Sequence, residues 1–465
     1  MKTRSIIVFL SILLLAIGCS KSNNPEAINP PVDPSTKVNK ILLGDSAALL
    51  LPDQQIQLSV DITPSTAINK KVQWKSSNTS IATVDDNGLV KAVSNGRVSI
   101  TVTSQDNVSI TDTARLVVLK NYDVHAVGNG VTSRFYSQAV YWNNETPNDL
   151  PGGHTVGIKA NAIKIVGNDI YIAGATSNEN GWAIPTFWKN GSPTQLTDPS
   201  NQFAHFITGL EVNNQDVYVT GYDFQMVGCP NCQYVSHGHY WKTSGGHVTD
   251  VPLYEAGVST GAMAVQSINS KIYVAGWQAN DNFFRMSKLW TDNFSSQLEF
   301  SRGSFASGNT IATKGSTIYV GGFDGCPYTN CSQIAKLWKS DGSNPIQFTD
   351  GTHEATINAM AFQDDDLILA GYEKNAAGKY VAKYWRLNGS SFTTHTIGSG
   401  DTDSGINGLT IVGDEIFFAG YETDKVYGYR QSIYWRVIDN LSLAITLYSA
   451  TPGSGNAELN GIAVR

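Results

Sequence analysis

From residue 120 onward, apolar and polar positions alternate in short runs rich in Ile, Val and Tyr, bounded by Gly, Asn, Asp and Ser, with almost no helical spacing. One pair of phrases recurs. Asp169-Ile-Tyr-Ile-Ala-Gly174 leads to Phe187-Trp188-Lys-Asn-Gly191, and Gln215-Asp-Val-Tyr-Val-Thr-Gly221 leads to Tyr240-Trp241-Lys242. Lys271-Ile-Tyr-Val-Ala-Gly276 precedes Leu289-Trp290, and Thr317-Ile-Tyr-Val-Gly-Gly322 precedes Leu337-Trp338-Lys339. Asp366-Leu-Ile-Leu-Ala-Gly371 precedes Tyr384-Trp385-Arg386, and Glu415-Ile-Phe-Phe-Ala-Gly420 precedes Tyr434-Trp435-Arg436. A weaker first copy is Asp123-Val-His-Ala-Val-Gly128 with Tyr141-Trp142.

The marker glycines 128, 174, 221, 276, 322, 371 and 420 lie 46 to 55 residues apart, the period of propeller blades. Before each phrase runs another short apolar segment, for example Asn161-Ala-Ile-Lys-Ile-Val166 and Asn407-Gly-Leu-Thr-Ile411. Calling this run strand A, the glycine phrase B, the Trp phrase C and the following run D (Thr194–Thr197), each unit is a four-stranded meander. The last A run, Asn460–Val464, has no B run after it, and the first copy has a B run with no A before it. The two are expected to pair. The predicted fold is all-β: a small β-sandwich, immunoglobulin-like by the resemblance given below, followed by a seven-bladed β-propeller closed by its C-terminal strand, which leaves no long unpaired edge.

The first 119 residues read differently. Met1-Lys-Thr-Arg4 and the apolar run Ile6–Ile17 form a secretory signal, too short to span a membrane. Residues 19–37 are a Pro-, Asn- and Ser-rich stalk that has no means of building a core. Residues 38–119 alternate over Gln55–Ile62, Lys71–Lys75 and Arg97–Thr103, separated by turns such as Asp86-Asn-Gly88, the pattern of a small β-sandwich in which Trp74 is expected to fill the inter-sheet core. A net charge of −7 with no basic stripe argues against a nucleic-acid partner.

Two resemblances add to this. Ala16-Ile-Gly-Cys19 resembles a bacterial lipobox, which implies removal of residues 1–18 and lipidation of Cys19; Ser20 after it favours the outer membrane. The phrases Val72-Gln-Trp-Lys-Ser-Ser-Asn78, Ser80-Ile-Ala-Thr-Val-Asp85, Asn87-Gly-Leu-Val-Lys-Ala-Val93 and Gly96–Ser104 resemble the bacterial immunoglobulin-like group 2 family, whose modules are usually spacers on surface proteins. Residues 120–465 resemble uncharacterised propeller repeats and, more loosely, kelch-like ones, a resemblance that implies the fold but does not point to an activity.

Candidate chemistry lies where the D–A and B–C loops of the repeat share one face. Five A runs open with Asn at one register (161, 309, 358, 407 and 460), and Thr208 and Met263 occupy that place in the other two. Such repetition points to a structural role, each amide bonding its own turn. After the marker glycines stand Tyr222, Trp277, Phe323, Tyr372 and Tyr421, suited to stacking on sugars or to packing between blades. Residues that break the repeat are His154, His205, Glu255, Arg302, His353, Glu354, Asp401 and Asp403, solvated loop charges unless the fold gathers them. Cys229-Pro-Asn-Cys232 and Cys326-Pro-Tyr-Thr-Asn-Cys331 read as two local disulfides of an exported protein, with Cys229, Cys232, His237 and His239 as a less well-spaced metal set.

The expected function is therefore that of a non-catalytic, lipid-anchored envelope protein, probing a glycan or a protein with one propeller face, with no metal, cofactor or nucleic acid. A polysaccharide hydrolase or lyase would instead need two carboxylates, or a carboxylate and a histidine, about 5–10 Å apart in a cleft. A purely structural protein would show a smooth face without a pocket.

Overall fold

A computed structural model describes residues 37–131, 137–152, 159–197, 204–227, 233–255, 257–279, 284–291, 296–301, 305–325, 332–448 and 455–465. It is all-β and divides into two compact units, the larger of which holds Leu116–Arg465.

In the smaller unit the alternating run from Gln55 breaks in two. Gln55–Gln57 pairs with Leu89–Ala92, whereas Val60–Thr63 pairs with Lys40–Leu43. The chain changes sheets at Leu58, which is buried and donates its N–H to the Gly88 carbonyl. Gln57 Nε2 also donates to Asn87 O, tying the crossover to the same turn. Leu58, Ala82, Val90, Ile100, Val102 and Ala114 fill the core. Trp74 does not fill it: the indole is only half-buried and lies against Gly88, whose φ of +83° and lack of a side chain leave the ring its place.

The larger unit contains seven four-stranded antiparallel sheets among the described residues. Six are consecutive meanders, such as Ala160–Val166, Asp169–Ser177, Ala183–Lys189 and Ser192–Gln195 in sheet two, the last strand opening two residues ahead of the expected D run. In sheet one, Glu458–Val464 supplies strand A and pairs with Val124–Val131.

The marker glycine and the asparagine belong to one device. In every sheet the A–B register slips by one residue at this level: Ile357 pairs with Gly371 and Ala359 with Ala370, so Asn358 is skipped, a β-bulge. In sheet one Gly461 and Leu459 are paired and Asn460 is skipped. The bulge presses strand A onto strand B. A Cβ on Gly371 would overlap the Thr356 carbonyl oxygen, and one on Gly420 the Gly405 carbonyl. No other residue fits there without opening the ladder.

Between sheets lie seven apolar clusters, each carrying one Trp. Val127 and Ala139 of sheet one meet Trp188 of sheet two; Tyr171 and Ala173 meet Trp241; Tyr218 and Tyr240 meet Trp290. The pattern continues through Trp338, Trp385 and Trp435. A seventh cluster joins Phe417, Ala419 and Tyr434 of the last sheet to Val124, Ala126 and Trp142 of the first. All seven indoles are 2% exposed or less, which makes the C-strand Trp the main apolar contact between sheets.

Candidate functional site

The bulged residues line a central cavity of about 330 Å3. Their side chains reach forward to the next sheet, not to their own turns. Thr208 Oγ1 donates to Ala262 O at 2.7 Å, Asn309 Nδ2 to Ile357 O at 3.1 Å, Asn358 Nδ2 to Ile406 O at 2.9 Å and Asn407 Nδ2 to Leu459 O at 2.9 Å. Asn161 donates to Ile207 O, and Asn460 Nδ2 to Ala160 O at 3.1 Å. Each carbonyl is that of the residue before the next bulge. Met263 alone has no N–H or O–H to offer. The repeated amides are thus a structural belt, as expected, but one that links neighbours.

Above the belt, the residue after each marker glycine pairs across strands with the A-strand residue two before the bulge: Tyr222 with Phe206, Trp277 with Gly261, Phe323 with Ser307, Tyr372 with Thr356 and Tyr421 with Gly405. Trp277 and Tyr421 lie over glycines 261 and 405 and are buried, while Tyr222, Phe323 and Tyr372 are half-buried. Phe206 stacks on Tyr222 at 5.3 Å and is 46% exposed, with Phe224 beside it at 5.6 Å. Tyr222 meets Trp277 of the next sheet edge-on at 6.4 Å. The arc stops at sheets one and two, where Asn129 and Ala175 follow the glycines.

A second cavity, about 360 Å3, opens from the belt at the end of this arc, lined by Tyr372, Tyr380, Tyr421, Arg430, Glu458, Asn407 and Asn460. Tyr372 and Tyr380 meet edge-on at 4.8 Å. Glu354 accepts from Lys374 Nζ at 2.6 Å, from Tyr372 OH at 3.3 Å and from Tyr380 OH at 3.4 Å. Arg430 lies 3.9 Å over the Tyr421 ring and donates to Glu458 at 2.7 Å, and Lys159 donates to the other Glu458 oxygen at 2.9 Å. Burial pushes Tyr372 and Tyr421 up, so both stay protonated donors. Burial would also raise Glu458, but Lys159 and Arg430 outweigh it and hold the carboxylate below its usual range. Apolar ring faces beside fixed donors and acceptors suit a polyhydroxylated ligand.

The remaining predicted residues are not gathered there. His353 is bonded to Thr352 Oγ1 at 2.9 Å, Asp401 is exposed and paired with Lys425 at 2.5 Å, and Asp403 accepts from the Tyr380 amide at 3.0 Å. Glu255 is exposed. His205 is buried inside sheet three, 3.2 Å from Ala183 O, because its place in strand A turns it toward Trp241. His154, Arg302, Cys19 and cysteines 229, 232, 326 and 331 lie outside the described residues. A larger cavity, about 860 Å3, lies at the turns of sheets six and seven among Asp364, Asp366, Arg386, His395, Asp414 and Asp439, where Arg386 is bonded to Asp366 at 2.8 Å.

Sequence reasoning missed one cluster. His205, Asp223 and His237 occupy one rung across strands A, B and C of sheet three, and all are buried. His237 Nδ1 lies 3.4 Å from Asp223, and His239 lies 3.7 Å from Asp223 and 2.8 Å from Asp250 on its other side. Burial would lower His239, yet the two carboxylates hold it up at about 9; His237, stacked on Tyr254 at 4.0 Å, is pushed down by burial. The His-x-His spacing was the available signal, but it points to this cluster only once Asp223 is known to sit opposite. Among the described residues no group of three or more His, Cys, Asp or Glu is arranged to hold a metal ion.

Comparison with known proteins matches residues 37–114 to the bacterial Ig-like domain (group 2). The chain is 43% identical over 60 residues to the 3-O-alpha-D-galactosyl-alpha-L-arabinofuranosidase of Bifidobacterium longum subsp. longum, a match covering 13% of this chain and 5% of that one. It is 38% identical over 69 residues to the kappa-carrageenase of Pseudoalteromonas carrageenovora, covering 15% and 17%. The chain thus spans only a small part of either enzyme. Among solved structures, the beta-propeller domain of the Trilobed protease from Pyrococcus furiosus aligns with a TM-score of 0.42 at 13% identity, covering 77% of this chain and 93% of that one. The uncharacterized protein YjdB of Bacillus subtilis (strain 168) is 30% identical over 99 residues, which cover 21% of this chain and 84% of that protein. Through these residues the chain belongs to the bacterial Ig-like domain (group 2) family.

Proposed function

We propose that this is a non-catalytic, envelope-tethered protein whose propeller binds a glycan at the aromatic mouth of its channel. The observation that carries the reading is the cavity in which Tyr372, Tyr380 and Tyr421 stand beside Arg430, Glu458, Asn407 and Asn460. Two relatives that share sequence with the chain are named for carbohydrate-degrading activities, which favours a glycan over a protein as ligand. The carboxylates of the mouth support binding over catalysis, because Glu354 and Glu458 are each held in ion pairs.

In this reading the seven sheets close into a seven-bladed propeller. The seventh Trp cluster, the pairing of Glu458–Val464 with Val124–Val131 and the Asn460 to Ala160 bond all support closure. Residues 1–18 are the signal, Cys19 carries the lipid, 19–37 form the stalk, 38–119 the spacer and 120–465 the binding domain, displayed at the outer membrane.

The test is a polysaccharide array probed with the Cys19→Ala chain, followed by a reducing-end assay on whatever binds. Binding without cleavage is expected, weakened roughly tenfold by Tyr372→Ala or Tyr380→Ala, the loss typical of a central aromatic contact. Release of new reducing ends would replace this reading with a hydrolase, and unsaturated ends would replace it with a lyase.

A further inference from the structure

The repeat allows one mouth residue to be compared with its own counterpart. Arg430 and Arg285 both open a C strand at the rung three residues beyond the marker glycine, opposite Thr423 and Ala279. Both guanidinium groups lie on the aromatic residue of their own sheet, Arg430 3.9 Å over Tyr421 and Arg285 4.0 Å over Trp277. They differ in what the next sheet offers. Two residues before the bulged Asn460 stands Glu458, which neutralises Arg430. At the same place before Asn309 stands Ser307, which has no charge.

Arg285 therefore makes no ion pair and no hydrogen bond among the described residues. Its second neighbour is again aromatic, the Phe305 ring at 5.0 Å. The other mouth cations are satisfied: Lys374 by Glu354, Lys159 and Arg430 by Glu458. Burial disfavours the charge on Arg285, and the nearby Tyr222 hydroxyl is itself pushed up and stays neutral. A half-buried guanidinium clamped between two rings, with its N–H fork unused among the described residues, is preorganised for a planar or tetrahedral oxyanion.

We propose that the glycan is anionic and that Arg285, between Trp277 and Phe305, is the residue that binds its carboxylate or sulfate group. The inference rests on the glycan-binding reading of the same mouth and adds the ligand's charge. Phe206, Tyr222 and Phe224 extend the ring surface on one side of Trp277, so neighbouring sugar units have faces to stack on while Arg285 holds the acidic group. A neutral polymer would leave this cation desolvated and unpaired.

The experiment compares polygalacturonate, a sulfated galactan and a neutral galactan as ligands of the full Cys19→Ala chain, by calorimetry at low and high salt. One anionic polymer is expected to bind at least tenfold more tightly than the neutral one, with affinity falling as salt rises. The preferred polymer tells carboxylate from sulfate. Arg285→Gln should abolish that preference, lowering anionic affinity about tenfold and leaving the neutral polymer unchanged. Arg285→Lys keeps the charge but not the planar fork and should retain part of the preference; it decides the matter if the glutamine variant unfolds. Glu458→Gln, which frees Arg430, should raise anionic affinity several-fold. Equal binding of anionic and neutral polymers, or a preference that survives Arg285→Gln, overturns the inference and leaves the glycan reading standing. Failure of every polymer to bind overturns both.

Discussion

The belt of bulged residues and the aromatic mouth above it are built from the same repeat and differ in how faithfully they keep it. At the belt, six of seven positions hold a side chain that donates to the next sheet, and the same bulge fixes each one. At the mouth, five sheets present an aromatic residue and two do not, and one arginine has its carboxylate while its counterpart has none among the described residues. Repetition marks what each sheet needs from its neighbour, and departure from it marks where one face was made unlike the others. The comparison can be broken by finding a belt residue that affects binding, or a mouth residue that governs stability.

The largest stability effect is expected from Trp385→Ala. The indole is wholly buried between sheets five and six, and its loss should cost about 3–5 kcal/mol in chemical denaturation. Next comes pH. His239 is held at about 9 against an ordinary 6.5, so its stabilisation is complete below about 6.5 and is lost as pH rises through about 9. The loss is on the order of 2–3 kcal/mol. His237 has the opposite sign, its buried neutral ring losing stability as pH falls below 6.5. Thermal melts across this range should show both limbs, with the alkaline one flattened most by His239→Gln, since His239 also contributes to the shift of His237. Asn358→Ala removes one belt link and strands the Ile406 carbonyl, a cost of roughly 1–2 kcal/mol with glycan affinity unchanged. Asp401→Asn, an exposed partner of Lys425, should change neither melting nor binding measurably.

Much of this architecture was legible because strand period, marker glycine and Trp are local features. The sheets fall where the phrases fall, and the C-terminal run Asn460–Val464 pairs with the first copy as expected. What the pattern did not reveal depends on stagger between elements distant in sequence. The belt asparagines were legible as structural, but their partners lie about 50 residues away, in carbonyls that only the inter-sheet offset brings near. Gln55–Ile62 alternates as one strand, yet it is divided between two sheets by a buried Leu58 that alternation alone does not distinguish. His205 stood out by composition as a loop residue, but its rung in strand A makes it part of the interior. The bonds of Glu354 to two tyrosines and a lysine were likewise not legible, because they join the residue before strand A to strands B and C of sheet six.

The missing donor at Met263 has a mechanical consequence. Sheets four and five are the one neighbouring pair that the belt does not stitch together, so their junction relies on the packing around Trp338. Under strain a stitched row of sheets parts first at its unstitched seam. Arg285 and Phe305 lie on the two banks of that seam. An anionic polymer bridging from the guanidinium to sheet five would act there as the absent fastener, making the occupied junction tougher than the empty one.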